Sequence, residues 1–95
     1  MNKGDAVVTR ITMADLKRAL EEGSGVDEGV DLDRDLGTSA FADLGYDSLA
    51  VLETGLRLSR ENDVDIDDSI FMDLDTPQQL LDAVNEALER RRQAS

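Results

Sequence analysis

A serine hydroxyl set among carboxylates is the most chemically suggestive feature of this sequence: Asp43-Leu44-Gly45-Tyr46-Asp47-Ser48-Leu49-Ala50. A serine becomes a nucleophile when a neighbouring base takes its proton, most often a histidine. The chain contains no histidine and no cysteine, which removes Ser-His and Cys-His pairs and the usual zinc ligand sets. The order Gly45-Tyr46-Asp47-Ser48 also lacks the Gly-x-Ser-x-Gly spacing of a nucleophile elbow. No glycine loop of the Walker or dinucleotide-binding kind is present. Ser48 is therefore read as a place where a group is attached, not as a catalyst.

The residues around it say how it is presented. Gly45 permits a backbone conformation that other residues resist, and Asp47 is a good N-cap, able to accept from the first free amides of a helix. A helix is predicted to start at Ser48, which puts the hydroxyl on the first turn, within reach of a large partner. A phosphate there would gain about 0.3–1 kcal/mol from the helix end, while Asp43 and Asp47 oppose it to a similar degree. The site is thus poor at holding a free anion. A covalent link would not need the attraction.

Four helices are predicted to position this turn. The first runs from Met13 to Glu22: Thr12 and Asp15 form a capping box, Ile11 can staple against Leu16, and Met13, Leu16, Ala19 and Leu20 recur at helical spacing before Gly23 stops it. A long connection, Ser24 to Tyr46, carries Val30, Leu32, Leu36, Phe41 and Leu44, so it should pack down, with a short helical turn near Ser39 to Asp43.

The second helix spans Ser48 to Glu61. On a wheel of about 100° per residue, Leu49, Leu52, Leu56 and Ser59 form one stripe with Val51, Gly55, Leu58 and Asn62 beside it. Ala50, Glu53, Thr54, Arg57 and Glu61 lie opposite, and Ser48 projects to the middle of the apolar arc. Leu52 and Leu56 are expected in the core, whereas Leu49 and Val51, near the serine, are candidates for contact with a partner or a tethered chain. Gly55 costs roughly 1 kcal/mol relative to Ala inside a helix. What it offers in exchange is space, either for a tethered chain or for a closely packed neighbour.

Val64-Asp65-Ile66 reads as a short extended connector, and Ser69 to Asp73 as a brief third helix covering the open side of the arc with Ile70, Phe71 and Met72. Thr76-Pro77-Gln78-Gln79 opens the fourth helix with an N-cap, a proline at the first position and a glutamine closing the box. Leu80, Leu81, Val84, Ala87 and Leu88 should be its buried residues. Arg90, Arg91 and Arg92 fall where a helix end favours cations. The sum is an all-α fold, a small four-helix bundle of three main helices and one short one with a long first loop.

Composition bounds the function. The chain has 95 residues, 22 acidic against 10 basic, for a net charge of −12. Residues 21–86 alone hold 19 acidic and three basic side chains. This argues against nucleic acid and anionic membrane as partners and should steer proteins with basic faces toward Ser48. Absence of cysteine fits a cytoplasmic protein. No apolar run is long enough for a membrane span, and Met1 to Ile11 lacks a signal-peptide core. Asp31, Asp33 and Asp35 alternate as in a calcium loop, but Leu36 and Ala42 stand where the loop needs Gly and Glu. Asp63, Asp65 and Asp67 fail in the same way, with Asp68 and Leu74 there. Both runs read as solvated loops, and no metal site is assigned.

The stretch Asp43 to Leu49 resembles the phosphopantetheine attachment motif of acyl carrier proteins, and its continuation Ala50, with Leu52-Glu53-Thr54 beyond, looks most like the carriers of bacterial type II, aromatic polyketide synthases. The likeness extends from Thr12 to about Leu88. It implies an acyl carrier domain over residues 12–89 between flexible tails at 1–11 and 90–95. It also implies a covalent 4'-phosphopantetheine on Ser48, oriented by Gly45 and Asp47, that carries growing polyketide intermediates as thioesters. Leu49, Val51 and Glu53 would be read by partners, and Leu52, Gly55 and Leu58 would line a cargo pocket. The implied partners are a phosphopantetheinyl transferase, a ketosynthase with its chain-length factor, a malonyl-loading acyltransferase, a ketoreductase and a cyclase. The carrier itself would be a monomer without intrinsic catalysis. Asn62-Asp63 departs from the aromatic residue and glycine common in such carriers, but Asn62 tolerates the left-handed conformation and so keeps a helix stop there, and Ser59 and Arg60 replace acidic residues common in fatty-acid carriers. A carrier for fatty-acid or peptide assembly is the alternative reading, and an acidic interaction module without a prosthetic group is the second.

Overall fold

The computed structural model of the chain describes residues 10–24, 36–37 and 39–94. Among them are four α-helices and one 3-10 turn: α1 (Met13–Ser24), the turn Ala42–Leu44, α2 (Ser48–Glu61), α3 (Asp68–Met72) and α4 (Pro77–Ala94).

The predicted caps form. The Thr12 amide donates to Asp15 Oδ2 at 2.9 Å and the Asp15 amide to Thr12 Oγ1 at 3.3 Å, the reciprocal pair that satisfies two helix-end donors at once. At α4 the Thr76 amide donates to Gln79 Oε1 and the Gln79 amide to Thr76 Oγ1, both at 3.2 Å, with Pro77 at the first helical position. Helix α3 begins one residue earlier than predicted, because the Asp67 carboxylate accepts from the Ser69 amide and hydroxyl at 2.9 Å and so sets the cap. Those two bonds, the backbone one first, hold the Asp67 carboxyl below its ordinary range.

Four boundary expectations are corrected. Gly23 does not stop α1, which runs on to Ser24; a glycine in a last turn weakens a helix without forbidding it. Ile11, assigned to the tail, is buried, and its amide and carbonyl both bond the Asn85 side chain, at 2.7 and 3.1 Å. Residues 90–94, likewise assigned to a tail, continue α4. The left-handed residue after α2 is not Asn62 (φ −106°) but Asp63 (φ 56°). Its amide bonds the Arg60 carbonyl at 3.3 Å, and the Val64 amide bonds the Ser59 carbonyl at 3.0 Å. Together they make a Schellman stop with aspartate where glycine is usual.

Helix α2 is the element on which the others pack: α1 and α3 lie against it, and α4 touches both α1 and α2. Leu16 and Leu20 of α1, Leu58 of α2, Phe71 of α3 and Leu80 and Val84 of α4 are fully buried, each contributing about 1.5–3 kcal/mol of apolar transfer. The described part of the long connection packs as expected, with Leu36, Phe41 and Leu44 buried. Val30, Leu32 and the Asp31, Asp33, Asp35 run lie outside the described residues. Among the described residues no helix is long and apolar enough to cross a membrane, and no acidic cluster is placed to hold a metal.

Candidate functional site

The turn before α2 is held by backbone bonds. The Tyr46 amide returns to the Phe41 carbonyl at 2.9 Å, and the Gly45 amide to the Ala42 carbonyl at 3.2 Å. Gly45 has φ 89°, a value that disfavours any side chain, so the sequence expectation for this glycine is met. Phe41 and Tyr46 are buried and meet edge to face with ring centroids 6.3 Å apart. A further bond, from the Phe41 amide to the Asp75 carbonyl at 2.8 Å, ties the turn to the residues that lead into α4. The chain is thus fixed from two sides before it enters the helix.

Asp47 then caps α2 as predicted: its backbone is extended and its Oδ1 accepts from the Ala50 amide at 2.9 Å. Ser48 follows on the first turn and is exposed. A groove of about 540 Å³ opens beside it, lined by Ala40 to Ala42, Tyr46, Asp47, Ser48, Val51, Leu74 and Asp75. That size lies in the range of small-molecule clefts. The hydroxyl and the groove share one edge, so a group joined to Ser48 can reach outward or lie back along the turn. This suits a long flexible attachment at that oxygen, which needs free approach from outside and space alongside.

The other predicted site residues are distributed differently from the wheel. Leu49 is 60% exposed and Glu53 is exposed, as a partner-facing pair would be. Val51 is only 2% exposed, so it cannot be read by a partner and instead lines the groove. Thr54, placed on the outer side by the wheel, is 1% exposed, its hydroxyl donating to the Ala50 carbonyl at 2.9 Å. Ser59 is buried and bonds the Gly55 carbonyl in the same way, which also removes it from any partner surface. Leu52 and Leu56 are half-buried, not core. The buried face is therefore turned toward Val51, Thr54 and Leu58 by about 60° at 100° per residue, and Ser48 stands at its margin.

Of the three residues proposed to line a pocket, Leu58 is closed in the core and Gly55 is buried. The space at Gly55 is taken by the Phe71 ring: a Cβ there would lie 2.6 Å from the ring's Cδ1 and Cε1. Close helix packing is what that glycine permits. Sequence reasoning missed the groove, because Phe41 and Asp75 are brought together by one backbone bond across the fold and no local periodicity signals it.

The chain is similar to known proteins over most of its length. The family described as "Phosphopantetheine attachment site" matches residues 14–84. The actinorhodin polyketide synthase acyl carrier protein of Streptomyces coelicolor is 45% identical over 82 residues, covering 86% of this chain and 95% of that one. The monensin polyketide synthase acyl carrier protein of Streptomyces virginiae is 48% identical over 83 residues, covering 87% and 93%. Among solved structures, the 3,7-dioxo-octyl form of the actinorhodin carrier superposes with a TM-score of 0.78 at 44% identity, covering 87% of this chain and 96% of that one. Its apo form gives 0.72 at 46% identity, covering 83% and 92%.

Proposed function

Since this chain belongs to the acyl carrier proteins, whose cofactor is phosphopantetheine, we propose that Ser48 is the residue that bears it. It is a carrier of polyketide intermediates, like its relatives. The observation that carries the assignment of the residue is the exposed hydroxyl that directly follows the Asp47 cap on the first turn of α2, at the edge of an open groove. When bound, the cofactor supplies a thiol on which an acyl chain is held.

This chain's own residues present and protect the attachment point. The Ser48 oxygen bonds to phosphorus while the pyrophosphate P–O bond of coenzyme A breaks. Adenosine 3',5'-bisphosphate leaves with the electron pair, and the hydroxyl proton passes to a base of the transferase. Asp47 spends its carboxylate on the Ala50 amide, which fixes the first turn and keeps Ser48 outward. Gly45 supplies the left-handed step that lets the turn reach the cap. Leu49 and Glu53, exposed on the same end of α2, offer an apolar knob and a negative charge to the transferase and then to polyketide synthase enzymes. Ketosynthase with its chain-length factor, the malonyl-loading acyltransferase, ketoreductase and cyclase are the partners this reading assigns. Catalysis resides in them, with this chain acting as a cytoplasmic monomer.

Intact mass after incubation with a phosphopantetheinyl transferase and coenzyme A tests the residue. One pantetheinyl phosphate per chain is expected, and none in Ser48→Ala. A modified Ser48→Ala, or an unmodified native chain, would overturn the assignment. The acyl group recovered on the protein from its host then separates polyketide cargo from fatty-acyl or aminoacyl cargo.

A further inference from the structure

Arg60 is a cation that the fold leaves without an ion pair. Residues 21–86 hold three arginines against 19 acidic side chains. Arg34 lies outside the described residues, and Arg57 is neutralised by Glu22, whose Oε1 is 3.5 Å from its Nη1. Arg60 is exposed in the last turn of α2, and among the described residues no carboxylate pairs with it.

The acidic side chains nearest to it in sequence are engaged elsewhere. Glu61 Oε1 faces Arg18 Nη1 at 4.0 Å, and Asp63 Oδ2 faces Arg91 Nη2 at 3.4 Å. Glu22, the partner of Arg57, is shared with Arg18 at 3.9 Å. The pairs that link α1 to α2, and the end of α2 to α4, thus take the carboxylates that could have covered Arg60.

This free charge has a defined setting. Glu53, Leu56, Arg57 and Arg60, with Gly23 of α1, line a groove of about 400 Å³. The four α2 residues stand at i, i+3, i+4 and i+7, which is one stripe of a helix. Glu53 and Arg60 are about 10 Å apart along its axis. Glu53, at the end nearer Ser48, is likewise exposed and unpaired among the described residues. Half-buried Leu56 lies between them. Read from the Ser48 end, the stripe is a free carboxylate, an apolar step, a neutralised arginine and a free guanidinium.

We propose that this stripe docks a partner protein that sets a carboxylate against Arg60, a basic side chain against Glu53 and an apolar side chain over Leu56. This rests on the reading of the chain as a carrier that visits separate enzymes, and it names the chemistry of the face that one of them presents. A guanidinium grips a carboxylate through two parallel hydrogen bonds, which fixes direction as well as attracting. Glu53 alone leaves a partner free to turn about one charge; a second charge of opposite sign about 10 Å further along the helix sets its heading. A face that is basic throughout is repelled at Arg60. The stripe therefore discriminates among enzymes that the net negative charge attracts alike.

The test exploits a difference in sign. Native chain, Arg60→Gln and Arg60→Glu are loaded with phosphopantetheine, and their dissociation constants are measured at low salt with the ketosynthase and its chain-length factor, the malonyl-loading acyltransferase, the ketoreductase and the cyclase. Attraction by net charge alone makes both variants bind at least as tightly as the native chain, because each is more negative. The proposal expects one of these four partners to bind Arg60→Glu about tenfold more weakly, with Arg60→Gln in between. The pair Glu53→Arg with Arg60→Glu reverses the stripe at an unchanged net charge of −12, and should weaken the same complex further. If all four bind Arg60→Glu as tightly as the native chain or more so, or if the reversed stripe binds like the native one, the proposal is overturned. A native chain that binds none of the four refutes the partner assignment, and this inference with it, before any variant is compared. Both residues are exposed, so each variant should keep the native Tm; Arg60→Gln, the mildest change, decides the matter should the reversal unfold the chain.

Discussion

Asp63 holds a left-handed backbone at φ 56°, a conformation that costs an L-residue about 1–2 kcal/mol and a glycine much less. Its compensation is an ion pair with Arg91 at 3.4 Å, in which the aspartate is 91% exposed. Exposed pairs contribute about 0–1 kcal/mol, and a glycine would add flexibility to the unfolded chain. Asp63→Gly is therefore expected to stabilise the protein by roughly 0.5 kcal/mol, or about 2–4 °C in Tm for a domain of this size. Asp63→Val should destabilise it, since a β-branched residue fits that backbone worst. Thermal unfolding of the two variants with opposite shifts checks the argument; equal shifts would refute it. The buried hydroxyls of Thr54 and Ser59 belong to the same scale. Each is satisfied by a carbonyl of the preceding turn, which is how a polar residue enters an apolar face without the cost of an unmade bond.

At the scale of elements, α3 is a single turn whose start depends on one carboxylate. Asp67 has a depressed folded value because it accepts from the Ser69 amide and hydroxyl. Its stabilising contribution is therefore complete above the ordinary carboxylate value and is lost as pH falls through the lower, folded one. Asp67→Asn, which can still cap but carries no charge, should be less stable than the native chain at neutral pH, and the gap should close in strong acid. Urea midpoints across that range would refute the cap's role if the gap stayed constant.

Helix boundaries were largely legible in the sequence, because caps are local. Asp47, Thr76 with Pro77, and Thr12 with Asp15 each announce a start, and α2 begins and ends where predicted. Its orientation was not legible. A wheel ranks Thr54 as polar and cannot see a hydroxyl folded back on its own helix. Nor can it see Val51 set into the wall of a groove shared with Phe41 and Tyr46. The attachment motif was visible because it is contiguous; the groove beside it also needs Leu74 and Asp75, which lie more than twenty positions further along the chain.

For the whole molecule, charge decides how partners arrive. Residues 21–86 carry 19 acidic and three basic side chains, and fields of that sign raise encounter rates with basic partners by roughly 10- to 1,000-fold at low ionic strength. Stopped-flow association with the transferase should slow at least about tenfold between ~20 mM and ~0.5 M salt. Glu53→Gln should lower the low-salt rate while converging with the native chain at high salt. A rate indifferent to salt would refute steering. The same small domain has a convenient optical property. Its single tyrosine, Tyr46, sits two positions before Ser48 in the wall of the groove, and the chain has no tryptophan. Its ultraviolet fluorescence therefore arises almost wholly from one ring, and native emission can report, without a dye, whether the acyl passenger is berthed beside that ring or adrift in solvent.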